Sequence, residues 1–440
     1  MQLSVKKIFK KNTLCLAIAG LATVQAATFS VSAQAADKEL LDILLANGSL
    51  NQEQYDTLLE MEEESVIIEA PGNGGGVSFS SADGQDEIEI GGRLHVDYVQ
   101  HTNDSDLGVD PVNGTEIRRA RIELDGSFAG NWGWTAEYDF ADNDVAIKDM
   151  KLGYEFENGM SLYAGHQKQP YSLEIEMSSN EMPFMERGVD SSIVTAFTDR
   201  AIGLRAQNNG EKWFAAGGIY GDTVNPGGNG DEGWGMSGRY IYTPVLSDTS
   251  IVHMGIRGAY RETDDGNSIR LRDETTHFSN TRILNSTIDD TDSITMFGPE
   301  FAVVMGAFSA TAEYNVLSVD RSIGGDLDFD SWHIEGTWSL TGESRAAAYR
   351  MNEGEFKGIT PLSDGGAWEL AARYESIDLN DGVFVGGSEE VLTAALNWYV
   401  NRDVRFMFDW KHILDTDESN LIRSNAPGMD VFSLRAQYNY

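Results

Sequence analysis

From residue 86 onward, apolar and polar positions alternate with a period of two. Trp132, Trp134, Ala136, Tyr138 and Phe140 interleave with Thr135, Glu137 and Asp139. Val404, Phe406, Phe408 and Trp410 stand against Arg405, Asp409 and Lys411. Phe432, Leu434, Ala436, Tyr438 and Tyr440 stand against Ser433, Arg435, Gln437 and Asn439. Such alternation marks strands with one apolar and one polar face. Similar stretches fall near 88–98, 117–128, 148–156, 160–166, 200–207, 213–220, 236–242, 252–261, 294–304, 309–317, 331–340, 368–376 and 391–400. A further candidate at 344–351 would bring the total to seventeen.

A β-sandwich also alternates, but here the polar face is charged on nearly every strand and aromatic residues crowd the strand ends. Those features belong to a barrel whose apolar face meets lipid. Strand numbers in such barrels are even when both termini lie on one side. The 342–365 stretch is therefore expected to be one long connection, leaving sixteen strands. The predicted fold is all-β: a 16-stranded antiparallel transmembrane β-barrel with a short N-terminal helical segment. A barrel of that size encloses an aqueous channel. Tight turns at Gly130-Asn131, Asn158-Gly159 and Asn401-Arg402 are expected to face the periplasm, with long acidic loops outside.

Ahead of the barrel, Lys6, Lys7, Lys10 and Lys11 precede the apolar run Leu14 to Ala22 and an Ala33-Gln34-Ala35 site. This is the build of a secretory signal peptide over residues 1–35. No later apolar run reaches the ~20 residues a spanning helix needs. Over 36–68, Leu40, Leu41, Leu44 and Leu45 and then Tyr55, Leu58 and Leu59 recur at helical spacing, with Asn51 and Gln54 placed as a capping box. Two such short helices are expected to self-associate, in coiled-coil fashion, or to pack on a partner. A Gly-rich linker is expected over 69–85, and the barrel over 86–440.

Composition narrows the function. The chain carries 70 Asp plus Glu against 32 Lys plus Arg, a net charge of −38. Losing the four signal-peptide lysines takes −38 to −42. Such acidity excludes nucleic acid as a partner. One cysteine, Cys15, excludes an internal disulfide or a multi-cysteine zinc site. Neither HExxH, GxSxG nor a P-loop is present, and the seven His are scattered. The sequence calls for no cofactor and no catalytic centre. A hydrolase assembled from distant strands, or a structural or adhesin barrel, stays open as the reading from another class. An Asp326–Asp328–Asp330 calcium site is a weaker option than a solvated loop, since EF-hand spacing is absent.

TEIRRARIELDGSF (115–128), WTAEYDFADN (134–143), GHQKQPYSLEIEMSS (165–179), PFMERGV (183–189), WSLTGES (338–344), GAWELAARYESIDLND (366–381) and LNWYVNRDVRFMFDW (396–410) resemble the phosphate-selective porin O and P family. The similarity runs in order across the whole barrel. It implies a homotrimeric anion porin of the bacterial outer membrane, set in lipid and lipopolysaccharide, with a loop folded into the lumen and basic residues laddered along the pore. Its ligands would be phosphate, polyphosphate or other small anions. A general diffusion pore without phosphate preference is the alternative within the class. By the resemblance, Lys168 stands at the start of the in-folded loop as a constriction cation. Arg119 and Arg121 fall on the polar parity as ladder residues, and Arg118 falls on the opposite parity. Arg270 and Arg272 match an alternating basic run that is broken here at Glu274.

Taking odd positions as inward gives twelve luminal cations, among them Arg205 and Arg257, against thirteen carboxylates. Ten of the twelve are Arg, which suits bidentate phosphate contact and also pairing with wall carboxylates. About half are expected to be so paired.

Overall fold

Sixteen antiparallel strands pair edge to edge and close on themselves. In the computed structural model they are β1 (Glu87–Thr102), β2 (Gly114–Phe128), β3 (Trp132–Asp139), β4 (Ala146–Glu155), β5 (Ser161–Lys168), β6 (Arg200–Asn209), β7 (Trp213–Tyr220), β8 (Trp234–Ser247), β9 (Ser250–Glu262), β10 (Thr291–Met305), β11 (Phe308–Arg321), β12 (Leu327–Ser339), β13 (Ala367–Asp381), β14 (Phe384–Tyr399), β15 (Val404–Asp417) and β16 (Asp430–Asn439). The structure describes residues 38–440 apart from 64–65, 70–75, 82, 103–110, 225–231, 264–267, 274–276, 279–281 and 418–427. The signal-peptide segment 1–35 and Glu274 lie outside the described residues. Strand β16 pairs with β1 from Asp430 opposite Thr102 to Asn439 opposite Arg93, and Tyr440 exchanges backbone hydrogen bonds with Gly92.

Alternation sets the two faces of the wall. In β1 the odd residues 93–101 are buried and the even residues 94–100 exposed. Leu94, Val96 and Tyr98, like Leu204, Tyr240, Ile256 and Phe301 elsewhere, form the outward apolar band. At one end of the barrel stacked rings run from strand to strand, as in Phe128–Trp132–Tyr154 and Trp368–Trp398–Phe406. Such a belt suits the membrane interface. No described helix is long and apolar enough to cross a membrane.

Three places break the odd-inward rule. Strand β7 buries even Phe214, Ala216 and Tyr220 and exposes Trp213 and Ile219. Strand β10 buries its even residues, so Glu300 faces the lumen although its number is even. In β2 the pairing with β1 slips between His95 and Val96, and the extra residue is Arg118. A β-bulge of this kind re-aims a side chain.

The belt end carries the short turns 129–131, 156–160, 210–212, 248–249, 306–307 and 400–403, with Gly130 and Gly159 at the positive φ these turns require. The long connection 340–366 lies at this same end. It contains a 3₁₀ turn (Arg345–Ala348) and a two-residue pairing of Tyr349–Arg350 with Glu355–Phe356, so 344–351 is not a wall strand. The opposite end carries the long connections, although 322–326 and 382–383 there are short. Asp328 and Asp330 project from the exposed face of β12, alternating with buried Leu327 and Phe329, and among the described residues they form no cluster that could hold a metal ion.

Helices α1 (Lys38–Ala46) and α2 (Gln52–Glu63) precede the barrel. The capping box is formed: Gln54 N donates to Asn51 Oδ1 (2.8 Å) and Asn51 N to Gln54 Oε1 (3.1 Å). The expected 69–85 linker is corrected by the structure. Val77–Ser81 pairs with Val66–Glu69 and also with Glu87–Ile90 at the start of β1. Val77-Ser78-Phe79-Ser80 alternates with period two, a strand signal that the neighbouring glycines masked.

Three connections fold into the lumen. Residues 169–199, between β5 and β6, carry α3 (Leu173–Glu176) and α4 (Ser191–Thr195) and bury Tyr171, Ile175, Phe184, Ile193 and Phe197. Above them sits a hairpin of the 263–290 connection, whose Ile269, Leu271 and Ile288 join the cluster around Ile193. From the belt end, segment 340–366 brings Ala346 and Phe356 against Leu173, Met177 and Met182.

Candidate functional site: an ion passage along one half of the barrel

The in-folded segment 169–199 must satisfy its own backbone inside a barrel, and charged wall residues do this. Arg257 Nη1 donates to Tyr171 O (3.1 Å), Arg405 Nη1 to Met182 O (2.9 Å) and Arg435 Nη1 to Met185 O (2.6 Å). Glu313 accepts from Glu174 N (2.8 Å), Asp409 from Met185 N (2.8 Å) and Glu375 from Val189 N (3.1 Å). Charge-assisted bonds of this kind are each worth about 1.5–3 kcal/mol net. All these wall residues lie on β9–β16, so that side of the lumen is filled and its charges are spent on the loop.

Against β1–β6 the segment leaves a cavity of about 550 Å³. Eleven Arg and Lys and eight Asp and Glu face it, a surplus of three positive charges. Lys168 Nζ donates to the carbonyls of Glu176 (2.7 Å) and Met177 (3.1 Å), and Arg205 pairs with Glu176 (2.7 Å). Arg121 bridges Asp139 (2.7 Å) and Glu137 (3.2 Å), while Arg93 reaches Glu137 (3.0 Å) and Glu123 (3.2 Å). Arg118 forks onto Glu186 at 2.8 and 2.9 Å, and Arg119 approaches the same carboxylate at 3.3 Å. Burial alone would raise the Glu186 carboxyl, but Arg118, Arg119 and Arg435 hold it well below the usual range. From the belt-end segment come Lys357, which pairs with Glu353 (2.6 Å) and Glu355, and Glu355 itself, pushed up to about 7 by burial.

A second cavity of about 680 Å³ opens at the belt-end mouth beside Arg402, Asp403 and Tyr440. Arg93, Glu123, Asp125, Ser178 and Lys357 border both cavities, so the two adjoin.

The structure thus gathers Lys168, Arg118, Arg119, Arg121 and Arg205 around one space. Arg118 joins because of its bulge, despite its parity. Arg257 is a correction: its side chain has no exposed surface, and it pairs with Glu313 (2.7 Å) and Glu300 (3.4 Å) on the filled side. Arg270 and Arg272 are corrected too. They stand on the exposed face of the Ile269–Arg272 hairpin strand, outside the passage. Parity missed Lys148, Arg187, Arg200 and Lys357. Lys148 lies where β3 and β4 slip register, Arg200 opens β6 at an even position, and the other two sit on in-folded connections that periodicity cannot reach. Glu300 offered a signal, as the lone acid in the apolar run Phe297 to Val304.

A closed sixteen-stranded barrel with an in-folded loop and a charged passage defines an outer-membrane porin. The sequence profile of the phosphate-selective porin O and P family matches residues 88–440, and the chain belongs to that family. It is 24% identical to Porin O of Pseudomonas aeruginosa over 369 residues, 75% of this chain and 84% of that one. It is 28% identical over 364 residues to an uncharacterized protein of Caulobacter vibrioides, 76% of this chain and 70% of that one. Among solved structures, the fold is similar to the anion-selective porin from Comamonas acidovorans, with a TM-score of 0.56 at 13% identity, covering 81% of this chain and all of that one. Family and fold are those of a channel in the bacterial outer membrane.

Proposed function

We propose that the chain passes small anions, phosphate first among them, along β1–β6 of each barrel. The surplus of cations around the 550 Å³ cavity carries this reading. Ions move between closely spaced sites when each holds them only weakly. Here each of these cations apart from Lys148 already shares a carboxylate or a carbonyl, so an anion exchanges partners and is not trapped. Lys168, Arg118, Arg119, Arg121 and Arg205 are the sites we assign to the pathway, joined by Arg187, Arg200 and Lys357. The belt end faces the periplasm, residues 1–35 are removed on export, and the barrels associate as a homotrimer among lipid and lipopolysaccharide. In the alternative, a general diffusion pore, the same cavity passes chloride and phosphate alike.

Single-channel recording in chloride with phosphate titrated in separates the two. Phosphate block of the chloride current, lost in Lys168→Glu, is the expected result. A cation-selective current indifferent to phosphate would overturn the proposal.

A further inference from the structure

Behind the in-folded segment, on the side away from the passage, Glu174, Asp190 and His333 converge. One ligand atom from each lies within 4.8 Å of the other two. They come from α3, from the residue preceding α4 and from the wall strand β12, and all three are buried. His333 Nδ1 stands 2.7 Å from Asp190 Oδ2. Asp190 is only 2% exposed, yet its Oδ1 meets no hydrogen-bond donor. Glu375, fully buried beside it, likewise has Oε1 without a partner. Gly188 keeps the space between them open: a Cβ there would stand 2.2 Å from Asp190 Oδ1 and 2.4 Å from Glu375 Oε2. Asp190 also holds the N-cap position of α4 without capping it, its carboxylate being turned to His333 instead.

Glu174, Asp190 and Glu375 bring three carboxylates against the Arg373 guanidinium, which bonds Glu174 Oε1 (3.0 Å) and Glu375 Oε2 (3.0 Å), and the His333 imidazole. Buried carboxylate oxygens without donors are costly, and native structures rarely leave them so.

We propose that Glu174, Asp190 and His333 bind a divalent transition-metal ion of the zinc type, which cross-links the in-folded segment to the barrel wall. Imidazole together with carboxylate suits this class of ion, whereas calcium and magnesium take oxygen alone. Bonds of about 2.0–2.2 Å place tetrahedral ligand atoms roughly 3.4 Å apart, so the side chains close on the ion by small rotations. The ion takes the place of the proton between His333 and Asp190. Water or Glu375 completes the shell.

The test uses the full-length protein refolded from urea into detergent with Co²⁺ as the probe. One cobalt per chain, with visible d–d absorption, is expected; His333→Gln and Asp190→Asn each lose the band and at least tenfold in affinity, while heat-modifiable gel migration confirms that they fold. Should the variants not fold, X-ray absorption on the wild-type cobalt protein decides, with one imidazole and otherwise oxygen ligands expected. A wild-type protein that retains no cobalt, a band unchanged in both variants, or a spectrum with two or more imidazoles overturns the proposal and leaves a protonated His333–Asp190 pair as the account of the cluster.

Discussion

Arg435 on the last barrel strand meets Glu186 on the in-folded segment at 2.7 Å, and the same carboxylate receives Arg118 and Arg119 from β2. One acid thus ties the loop to the wall and also mutes two cations at the edge of the passage.

Glu186→Gln keeps the side-chain shape, removes the charge and leaves one acceptor oxygen for the three arginines. A unit charge about 6 Å from an ion in water is worth about 0.7 kcal/mol, a factor of about three. The chloride-over-potassium permeability ratio, read from reversal potentials in a salt gradient, should rise by about that factor. An unchanged ratio would mean that Arg118 and Arg119 do not sense the permeating ion.

Glu355 makes selectivity depend on pH. Burial lifts its carboxyl from the ordinary 4.5 to about 7, with Lys357 and Lys168 opposing the rise and neighbouring Glu353 adding to it. A raised folded-state value means that its contribution to stability is complete below about pH 4.5 and fades as pH rises through about 7. In the same window the cavity gains a negative charge. Anion preference should therefore fall between pH 6 and pH 8, and Glu355→Gln should flatten that fall. The comparison of reversal potentials at the two pH values checks it.

Gly354 seats the belt-end segment. Its φ is +66°, and a Cβ there would stand 2.3 Å from Ile241 Cδ1 and 2.9 Å from Phe214. Its carbonyl also receives Arg239 at 2.9 Å. Gly354→Ala should cost about 1–3 kcal/mol and ease segment 340–366 out of the lumen. The expected readout is a larger unitary conductance than that of the wild type in the same salt.

The two halves of the barrel should respond oppositely to loss of an arginine. Arg257→Met leaves Glu313 without its ionic partner on the filled side, while Glu300 keeps Arg239 and His253; the cost should be about 3–5 kcal/mol. It should lower the unfolding temperature with little change in selectivity. Arg121→Met, on the passage side, should weaken anion preference. Equal effects of both variants on reversal potential would refute this division.

The strand number, the connection 342–365 and the inward-facing residues of most strands were legible because period two is a local property of the chain. What stayed hidden depends on pairing between strands. The bulge at Arg118 and the slip beside Lys148 exist only once β2 meets β1 and β4 meets β3. The even-inward face of β10 reflects the spacing of a connection that alternation does not count. The division of luminal charge was illegible for a related reason. Arg121 and Arg257 look alike in sequence, and only the path of residues 169–199 sends one to the passage and the other beneath the loop.

Strand β1 begins five residues before the point where Tyr440, at the end of β16, meets it at Gly92. On the side away from β2, its first positions would be an open edge, which invites pairing with other chains. Val77–Ser80 covers Glu87–Ile90 from that side. The N-terminal hairpin is thus an edge guard: a barrel trimmed to residue 86 would keep its wall and passage and gain a sticky seam at its rim.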